Sequence, residues 1–333
     1  MGTFRFGEVA KHTKLNRGNA VSKSQFGVRK NWREFSANRL SAKEIEETRK
    51  DCRVLKSGMA LEAFDFGSNW KHYSSRALTN IRVEGARKAF SVLTSGIELK
   101  SRSFLDVGFG QGLTALCAAE TGADVYCLDV NPRCAEALES TSQYFLTEVI
   151  ERLDLILGSI LSTNDVRKLR EKSGAGYDIV HSWGVLHHTG NMEKAFANCA
   201  ELVKPGGQLI VAIYNRHWSS PLWKRIKHLY CRLPRTGQKT MIGIFVPVIY
   251  LAKLLVTRRN PLEKERGMDF LVDIVDWVGG YPYEYATVDE VLDLGTKNGL
   301  QMLRVSAAAV PTGCNEFVFT KPTEPRVPSE FNE

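Results

Sequence analysis

A glycine-rich segment behind a short apolar run constrains the fold of this chain more than any other feature. Residues 104–112 read FLDVGFGQG, so an apolar stretch carrying Asp106 meets three alternate glycines, Gly108, Gly110 and Gly112. Good helix formers follow directly. This order predicts a strand, a tight turn and a helix, the entry unit of an open α/β sheet. Glycine suits such a turn because it tolerates positive φ and keeps side chains out of a ligand's way.

A second carboxylate indicates what the turn binds. Residues 123–129 form another apolar run, which ends in Asp129. A carboxylate at the end of the second strand can accept both hydroxyls of a ribose. Asn131 and Pro132 then fit the start of the next helix. The sequence therefore predicts a pocket for an adenosine-containing ligand.

Glycine spacing alone does not distinguish a dinucleotide from S-adenosyl-L-methionine. Gly110, Gly112 and Ala115 satisfy the spacing of a dinucleotide site. The charge of Asp106 favours a cationic ligand, because a carboxylate beside the turn repels a pyrophosphate and attracts a sulfonium and an ammonium group. S-adenosyl-L-methionine carries both cations and no phosphate, so it is the expected cofactor.

Further motifs complete a pattern that resembles a known family. The glycine segment and Asp129 are followed by YDIVHSWGVLHH at residues 177–188 and LVKPGG at residues 202–207. In order and spacing, over about residues 100 to 215, this resembles the class I S-adenosyl-L-methionine-dependent methyltransferases. The resemblance is strongest to the group with ubiquinone-pathway O-methyltransferases and natural-product methyltransferases. It implies a Rossmann-like α/β fold with a seven-stranded, mostly parallel sheet and an antiparallel terminal hairpin.

The resemblance also implies an activity and a set of cofactor contacts. The expected reaction is methyl transfer to a small molecule, with O-methylation favoured and S-adenosyl-L-homocysteine as product. One departure lies at Ser159, where the family usually has an acidic residue that contacts the adenine amino group. The residues expected to bind the cofactor are Asp106, Gly108, Phe109, Gly110, Gly112, Asp129, Val130, Ser159, Ile160, Ser182 and Trp183.

Methyl transfer to a hydroxyl needs a proton acceptor in addition to correct alignment of the reactants. The segment 183–189, at the end of the fourth predicted strand, carries His187 and His188. Histidine titrates near neutral pH, so either residue is a candidate base, with a purely structural role as the alternative. Only one of them is expected to face the pocket. The sequence shows no set of metal ligands, so no metal is expected.

Two aromatic segments are candidates for substrate contact. The loop 276–284 reads DWVGGYPYE and either lines a pocket or seals the sheet edge as a packed loop. The cluster at residues 64–73 is expected to precede a helix over 74–94. This cluster either caps the cofactor or packs a helix on the sheet. The residues expected to contact the substrate are Trp70, Trp277, Tyr281, Tyr283 and Glu284.

Strands and helices alternate regularly from residue 103, which predicts a parallel sheet with helices on both faces. We divide the chain into a basic N-terminal arm and helix (1–60), a methyltransferase domain (61–321) and a C-terminal tail (322–333). Residues 216–286 form a helical, lid-like insertion before the last two strands. Alternatives to small-molecule methylation are modification of RNA and a different chemistry of the same cofactor.

The insertion contains an apolar stretch at residues 241–256 that is interrupted by Pro247 and Lys253. This stretch is shorter than the roughly 20 residues that a membrane span needs, so no transmembrane segment is expected. A lid or dimer helix is favoured, and peripheral membrane contact is the alternative.

Charge and cysteine content bear on partners and compartment. The net charge of +8 is concentrated in two segments. Residues 1–40 hold nine Lys and Arg against two acids, and residues 216–267 hold twelve against two. These are either solvated surfaces or sites for an anionic partner. Nucleic acid is possible but not favoured, because no aromatic-basic motif accompanies the arm. Seven cysteines without paired spacing suit a reducing cytoplasm. The oligomeric state is left open.

Overall fold

A seven-stranded sheet lies at the centre of this computed structural model, which describes residues 63–262 and 268–323. The strand order is β3-β2-β1-β4-β5-β7-β6, and β7 runs antiparallel to both of its neighbours. This confirms the predicted fold class. The predicted arm and first helix, and the tail beyond residue 323, lie outside the described residues. The strands are β1 (Ser103–Val107), β2 (Asp124–Asp129), β3 (Leu153–Leu157), β4 (Tyr177–Trp183), β5 (Val203–Tyr214), β6 (Gln301–Ser306) and β7 (Cys314–Thr320).

Helices connect the strands, and a short 3₁₀ turn, Leu186–His188, follows β4. The α-helices of the described residues are α1 (Phe66–Arg76), α2 (Asn80–Leu93), α3 (Leu113–Glu120), α4 (Arg133–Ser142), α5 (Thr147–Ile150), α6 (Thr163–Ser173), α7 (Met192–Leu202), α8 (Ser220–Arg232), α9 (Arg235–Thr257), α10 (Phe270–Gly279) and α11 (Val288–Lys297).

The central strands are apolar on both sides because helices cover both faces of the sheet. Successive residues of a strand point to opposite faces, so neighbours along β1 enter different clusters. Phe104 packs with Val125 in one hydrophobic cluster, and Leu105 packs with Val180 in the other. Because side chains fill both faces of the sheet, a ligand is expected to bind at the edge where the parallel strands end.

The prediction of one helix over residues 74–94 is wrong. Asp65 accepts a hydrogen bond from the backbone N–H of Ser68 at 3.0 Å, so α1 already begins at Phe66 and contains the aromatic cluster. Thr79 then has an extended backbone and caps α2 through the N–H of Arg82. Two N-caps in close succession therefore divide the segment into two helices.

The insertion consists of α8, α9 and α10, which pack together around a small hydrophobic cluster that includes Tyr230, Ile249 and Ile274. Pro247, which interrupts the apolar stretch, does not break the helix, and α9 runs for 23 residues. A proline in a helix leaves the carbonyl four residues earlier without its donor. Here that residue is Gly243, and both residues are exposed, so water can replace the missing N–H.

Candidate functional site

The turn between β1 and α3 has the conformation that its glycines predict. Gly108, Gly110 and Gly112 all have positive φ, at 77°, 57° and 79°. A side chain would also collide with neighbours: a Cβ on Gly112 would lie 2.1 Å from Leu138, and one on Gly110 would lie 3.0 Å from the indole of Trp70. The glycines thus allow both the turn and the close packing around it.

Asp129 ends β2 directly beside this turn. Its carboxylate accepts hydrogen bonds from the N–H of Gly110 at 3.1 Å and from the N–H of Asn131 at 2.8 Å. Burial raises the pKa of Asp129, and these two backbone donors oppose the increase. Each carboxylate oxygen can accept a further hydrogen bond, so both hydroxyls of a ribose can be bound here.

Asp106 forms a buried pair that the sequence reasoning did not anticipate. Its Oδ1 lies 2.8 Å from Nδ1 of His181, the residue paired with it on β4. Both side chains are 3% exposed, and Oδ2 of Asp106 has no partner among the described residues. One clue was available, namely a histidine directly after the apolar pair Ile179 and Val180 of a predicted strand. Oδ2 of Asp106 leaves a buried negative charge open for a cationic group.

Helix α1 covers the glycine turn. Asp65 accepts a hydrogen bond from the side chain of Asn131 at 2.9 Å and forms an ion pair with Arg133 on α4. These contacts hold α1 over the region where β1 and β2 end. Trp70 lies against Gly110, and its contact with substrate stays a prediction. This geometry combines the two alternatives for the aromatic cluster, since α1 packs on the domain and also caps the turn.

A carboxylate from another residue lies next to Ser159. Asp165, in the first turn of α6, folds back so that its Oδ2 accepts the N–H of Ser159 at 3.0 Å. The hydroxyl of Ser159 accepts the N–H of Leu161 at 3.2 Å. Sequence reasoning missed Asp165 because it lies six positions after the expected place. A carboxylate is therefore present beside the position where the adenine contact is expected.

Three other predicted cofactor residues use their side chains within the protein. Phe109 is 6% exposed and packs in the core, so only its backbone is part of the turn. Ser182 donates its hydroxyl to the carbonyl of Val107 at 3.0 Å. Trp183 donates its indole N–H to Glu316 at 3.0 Å. The side chain of Phe109 is thus directed into the core, and contact with a cofactor through its backbone stays a prediction.

The two remaining cofactor candidates flank this edge. Val130 follows Asp129 and is 42% exposed, so its side chain is accessible for a flat apolar contact. Ile160 is buried, and its carbonyl accepts a hydrogen bond from Asn198 at 2.6 Å. Of these two, Val130 offers the accessible surface.

The two adjacent histidines hold opposite tautomers. Nδ1 of His188 lies 2.6 Å from the carbonyl oxygen of Pro282, which can only accept, so Nδ1 carries the proton and Nε2 is bare. Nδ1 of His187 accepts the backbone N–H of Tyr214 at 3.3 Å, so its proton is on Nε2, which is buried without a partner among the described residues. Only His188 therefore presents a free lone pair at Nε2.

The surroundings keep both histidines neutral. Burial, followed by the charge of Lys227, lowers the pKa of His188 to about 3, and the hydrogen bond to Pro282 opposes this only partly. Burial and the charges of His188 and Lys227 likewise lower the pKa of His187 well below its usual value. His188 is partly buried against the ring of Phe66, 4.8 Å between ring centroids.

A buried lysine from the insertion lies close to this pair. Lys227 of α8 is 0% exposed; its ammonium donates to the carbonyl of Trp277 and lies 4.7 Å from the ring centroid of Tyr283. Burial lowers the pKa of Lys227 to about 7, with Asp276 opposing the decrease. Burial also raises the pKa of Asp276 to about 7. Helix α8, which belongs to the basic segment 216–267, thus directs one of its lysines into the interior beside the histidines.

The loop 276–284 is only in part the predicted substrate surface. Tyr283 is 1% exposed, and Glu284 accepts the N–H of Met192 at 3.0 Å at the start of α7. Tyr283 is therefore enclosed and the carboxylate of Glu284 caps a helix, while substrate contact by either residue stays a prediction. Trp277 and Tyr281 remain partly exposed. The loop both seals the sheet edge and leaves two aromatic rings accessible.

Taken together, these groups fit S-adenosyl-L-methionine. The three glycines form the tight turn, Asp129 beside it can accept the ribose hydroxyls, and Asp106 has a buried oxygen without a partner among the described residues that suits a cation. Within the described ranges no cluster of three or more His, Cys, Asp or Glu is placed to hold a metal ion. The fold and this site define a Rossmann-like α/β protein that binds an adenosine cofactor.

Comparison with known proteins identifies the family. Residues 70–243, just over half of the chain, match the family model described as a methyltransferase domain. The chain belongs to the class I S-adenosyl-L-methionine-dependent methyltransferases. It is a transferase, and S-adenosyl-L-methionine is its cofactor.

Curated relatives match a shorter part. A ubiquinone biosynthesis O-methyltransferase of Vibrio atlanticus (strain LGP32) is 32% identical over 122 residues, which are 37% of this chain and 47% of the relative. The protein of the same name from Maricaulis maris (strain MCS10) is 34% identical over 112 residues, which are 34% of this chain and 40% of the relative. The chain thus spans less than half the length of these relatives.

Solved structures are similar at low identity. Magnesium protoporphyrin IX methyltransferase from Synechocystis PCC 6803 has a TM-score of 0.47 and 14% identity, covering 76% of this chain and 93% of that chain. An O-methyltransferase family protein from Burkholderia thailandensis has a TM-score of 0.44 and 14% identity, covering 72% of this chain and 57% of that chain.

Proposed function

We propose that this protein methylates a hydroxyl group of a small molecule and that His188 accepts the hydroxyl proton. The observation that carries the proposal is the tautomer of His188, whose Nδ1 is committed to Pro282 and whose Nε2 has a free lone pair. The segment that carries this histidine follows β4, at the edge where the glycine turn also lies. The name of the curated relatives, O-methyltransferase, supports oxygen as the acceptor atom.

The low pKa of His188 narrows the acceptor further. A proton acceptor with a pKa of about 3 is weak, so the hydroxyl that it serves must itself be fairly acidic. A phenolic or enolic hydroxyl meets this requirement far better than an aliphatic alcohol. The rings of Phe66 and Trp277 are suited to pack against such a flat acceptor.

The proposal gives the three carboxylates of the site one role each. Asp129 binds the ribose, Asp106 attracts the cationic end of the cofactor, and Asp165 takes the adenine contact that Ser159 cannot make. When bound, the cofactor supplies an electrophilic methyl group. The chain then needs only to align the acceptor oxygen, exclude water with α1 and the insertion, and remove one proton.

A labelling experiment tests this function. Purified protein and S-adenosyl-L-methionine labelled on its methyl group are incubated with an extract of the source cells, and small molecules and lipids are separated from nucleic acid and protein. We expect label in a small-molecule or lipid hydroxyl, recovered as a methyl ether. The Asp129→Ala variant is the control and should leave that fraction unlabelled.

Two outcomes would overturn the proposal. Label in RNA would assign the basic insertion to nucleic-acid docking, and labelling should then fall steeply with salt. Binding of the cofactor without transfer to any fraction would point to a different chemistry of the same pocket.

A further inference from the structure

Helix α9 has two apolar faces, and the described residues cover only one of them. Toward the domain, the ring of Phe245 lies 5.5 Å from that of Trp223, and the ring of Tyr250 lies 5.9 Å from that of Phe270, both measured between centroids. Lys253 on the same side is ion-paired with Asp273 of α10 at 3.0 Å. These contacts fix one face of α9 along α8 and α10.

The opposite face carries a stripe of exposed aliphatic residues. Ile244, Val248, Leu251 and Leu255 recur at intervals of four, three and four residues, so they lie along one side of the helix. They are 61%, 54%, 56% and 76% exposed. We call these four residues the outer stripe. A continuous exposed aliphatic stripe of this length is typical of an interaction surface.

The charge around the outer stripe has one sign. Residues 216–262 contain ten Lys and Arg and no Asp or Glu. Arg235 and Lys239 near the start of α9, and Arg258 and Arg259 just after its end, are all exposed. The surface therefore combines an apolar centre with cationic ends, which suits a partner that is apolar inside and anionic outside.

This combination distinguishes between possible occupants. A second copy bound through the same stripe would bring the cationic ends of both helices together, and like charges at an interface oppose association. The phosphate backbone of RNA offers nothing for four aliphatic side chains to bury against. The surface of an anionic bilayer satisfies both features, because acyl chains receive the stripe while headgroups pair with the arginines and lysines.

The face of α9 that packs on α8 and α10 determines how this helix can lie relative to a membrane. By length and composition α9 could cross a membrane, since it has 23 residues and a mean hydropathy of 2.0 over its most apolar window. Crossing would strip away α8 and α10 and expose the pair of Lys253 and Asp273 to lipid, at high cost. A helix held along one side by the protein can instead lie flat in the bilayer surface.

We propose that the outer stripe of α9 docks this methyltransferase onto an anionic lipid bilayer, with the helix parallel to the membrane plane. The docking goes beyond the proposed function and does not depend on which acceptor is methylated. It would place the edge formed by the insertion beside the membrane, where poorly soluble acceptors are concentrated.

Vesicle flotation of the full chain tests the docking. The probes are vesicles of phosphatidylcholine alone and of phosphatidylcholine mixed with phosphatidylglycerol. We expect the protein to float with the mixed vesicles and much less with the neutral ones. Leu251→Glu combined with Leu255→Glu should lower the ratio of bound to free protein by roughly tenfold or more. Arg235→Gln combined with Lys239→Gln should lower it roughly 30-fold.

Matched controls separate docking from misfolding. Ile81 of α2 is 84% exposed and lies outside the insertion, so Ile81→Glu should float like the unchanged protein. Thermal unfolding and cofactor affinity of every variant should remain unchanged, since none of these residues touches the site. Flotation and methyl transfer test separate proposals. If the methyl-transfer assay fails and flotation gives the expected result, the proposed function is wrong and the docking still holds.

Three results would overturn the docking. One is equal flotation of the unchanged protein and the Leu251/Leu255 variant. Another is a concentration-dependent dimer in sedimentation that the same variant abolishes, without vesicle binding, because the occupant would then be a second copy. The third is resistance of the bound protein to extraction with alkaline carbonate, which would indicate insertion across the bilayer.

Discussion

The carboxylate of Asp129 stabilises the glycine turn and can also accept hydrogen bonds from a ligand. It accepts the backbone N–H of Gly110 and that of Asn131, and so it fixes the turn while keeping lone pairs for a ligand. A hydrogen bond to a charged group contributes about 1.5–3 kcal/mol. The same residue therefore links the geometry of the turn to the affinity for the cofactor.

We expect Asp129→Ala to weaken binding of S-adenosyl-L-methionine by roughly tenfold to a hundredfold, because the ribose loses its acceptor. Isothermal titration calorimetry measures this directly. Asp124→Ala is the matched control, because Asp124 lies at the opposite end of β2 and pairs with Arg152 at the surface. Equal affinities of the two variants would remove Asp129 from the site.

His188 allows a prediction about pH. A base works only while it is unprotonated, so its activity is lost as pH falls through its pKa. Because that pKa is held near 3, turnover should not decrease through a histidine between pH 7.5 and 5.5. A titration near 6.5, the ordinary histidine value, that His188→Gln removes from the profile of kcat/KM would contradict this environment for His188. Such a titration persisting in that variant would belong to Lys227 or Asp276, whose pKa values are about 7.

The companion variant His188→Gln should lower kcat by about 10²- to 10⁴-fold while cofactor binding is retained. His72→Gln is the control, since His72 is an exposed histidine on α1. If His188→Gln kept full turnover, the base would have to be another group.

At the scale of elements, α1 connects the sequence upstream of the sheet to the cofactor edge. Asp65 caps α1 and at the same time reaches Asn131 and Arg133 beside α4. Although burial raises the pKa of Asp65, its hydrogen bonds to Ser68 and the charge of Arg133 hold the pKa below its usual value. One carboxylate thus starts a helix and docks it.

Asp65→Ala should cost about 1 kcal/mol of unfolding free energy through the lost cap, and it should also weaken cofactor binding by loosening Trp70 over Gly110. Urea unfolding and calorimetry give the two quantities. Lys71→Ala is the control between the same two helices, because the exposed ion pair of Lys71 and Glu136 contributes little. A change in stability without a change in cofactor affinity would mean that α1 is not a cover.

At the scale of the whole molecule, the uneven distribution of charge leads to a test that distinguishes a small-molecule acceptor from RNA. If the acceptor is a small molecule, raising salt from about 50 to about 200 mM should change turnover on a soluble acceptor only slightly. An enzyme with six to ten phosphate contacts would lose roughly 10³- to 10⁵-fold in affinity over that range. Steady-state kinetics at several salt concentrations distinguish the two. The cytoplasmic location stays a prediction.

The sequence by itself determined the sheet, the glycine turn and Asp129, because these depend on local patterns: apolar runs, alternate glycines and a carboxylate at a strand end. Only the tertiary structure decided which residues meet across distant segments. It paired Asp106 with His181, brought Asp165 to the place of Ser159, buried Lys227 beside the histidines and enclosed Tyr283. Such contacts depend on how helices pack, and packing joins residues that are far apart in the chain and whose local patterns resemble ordinary surface or core.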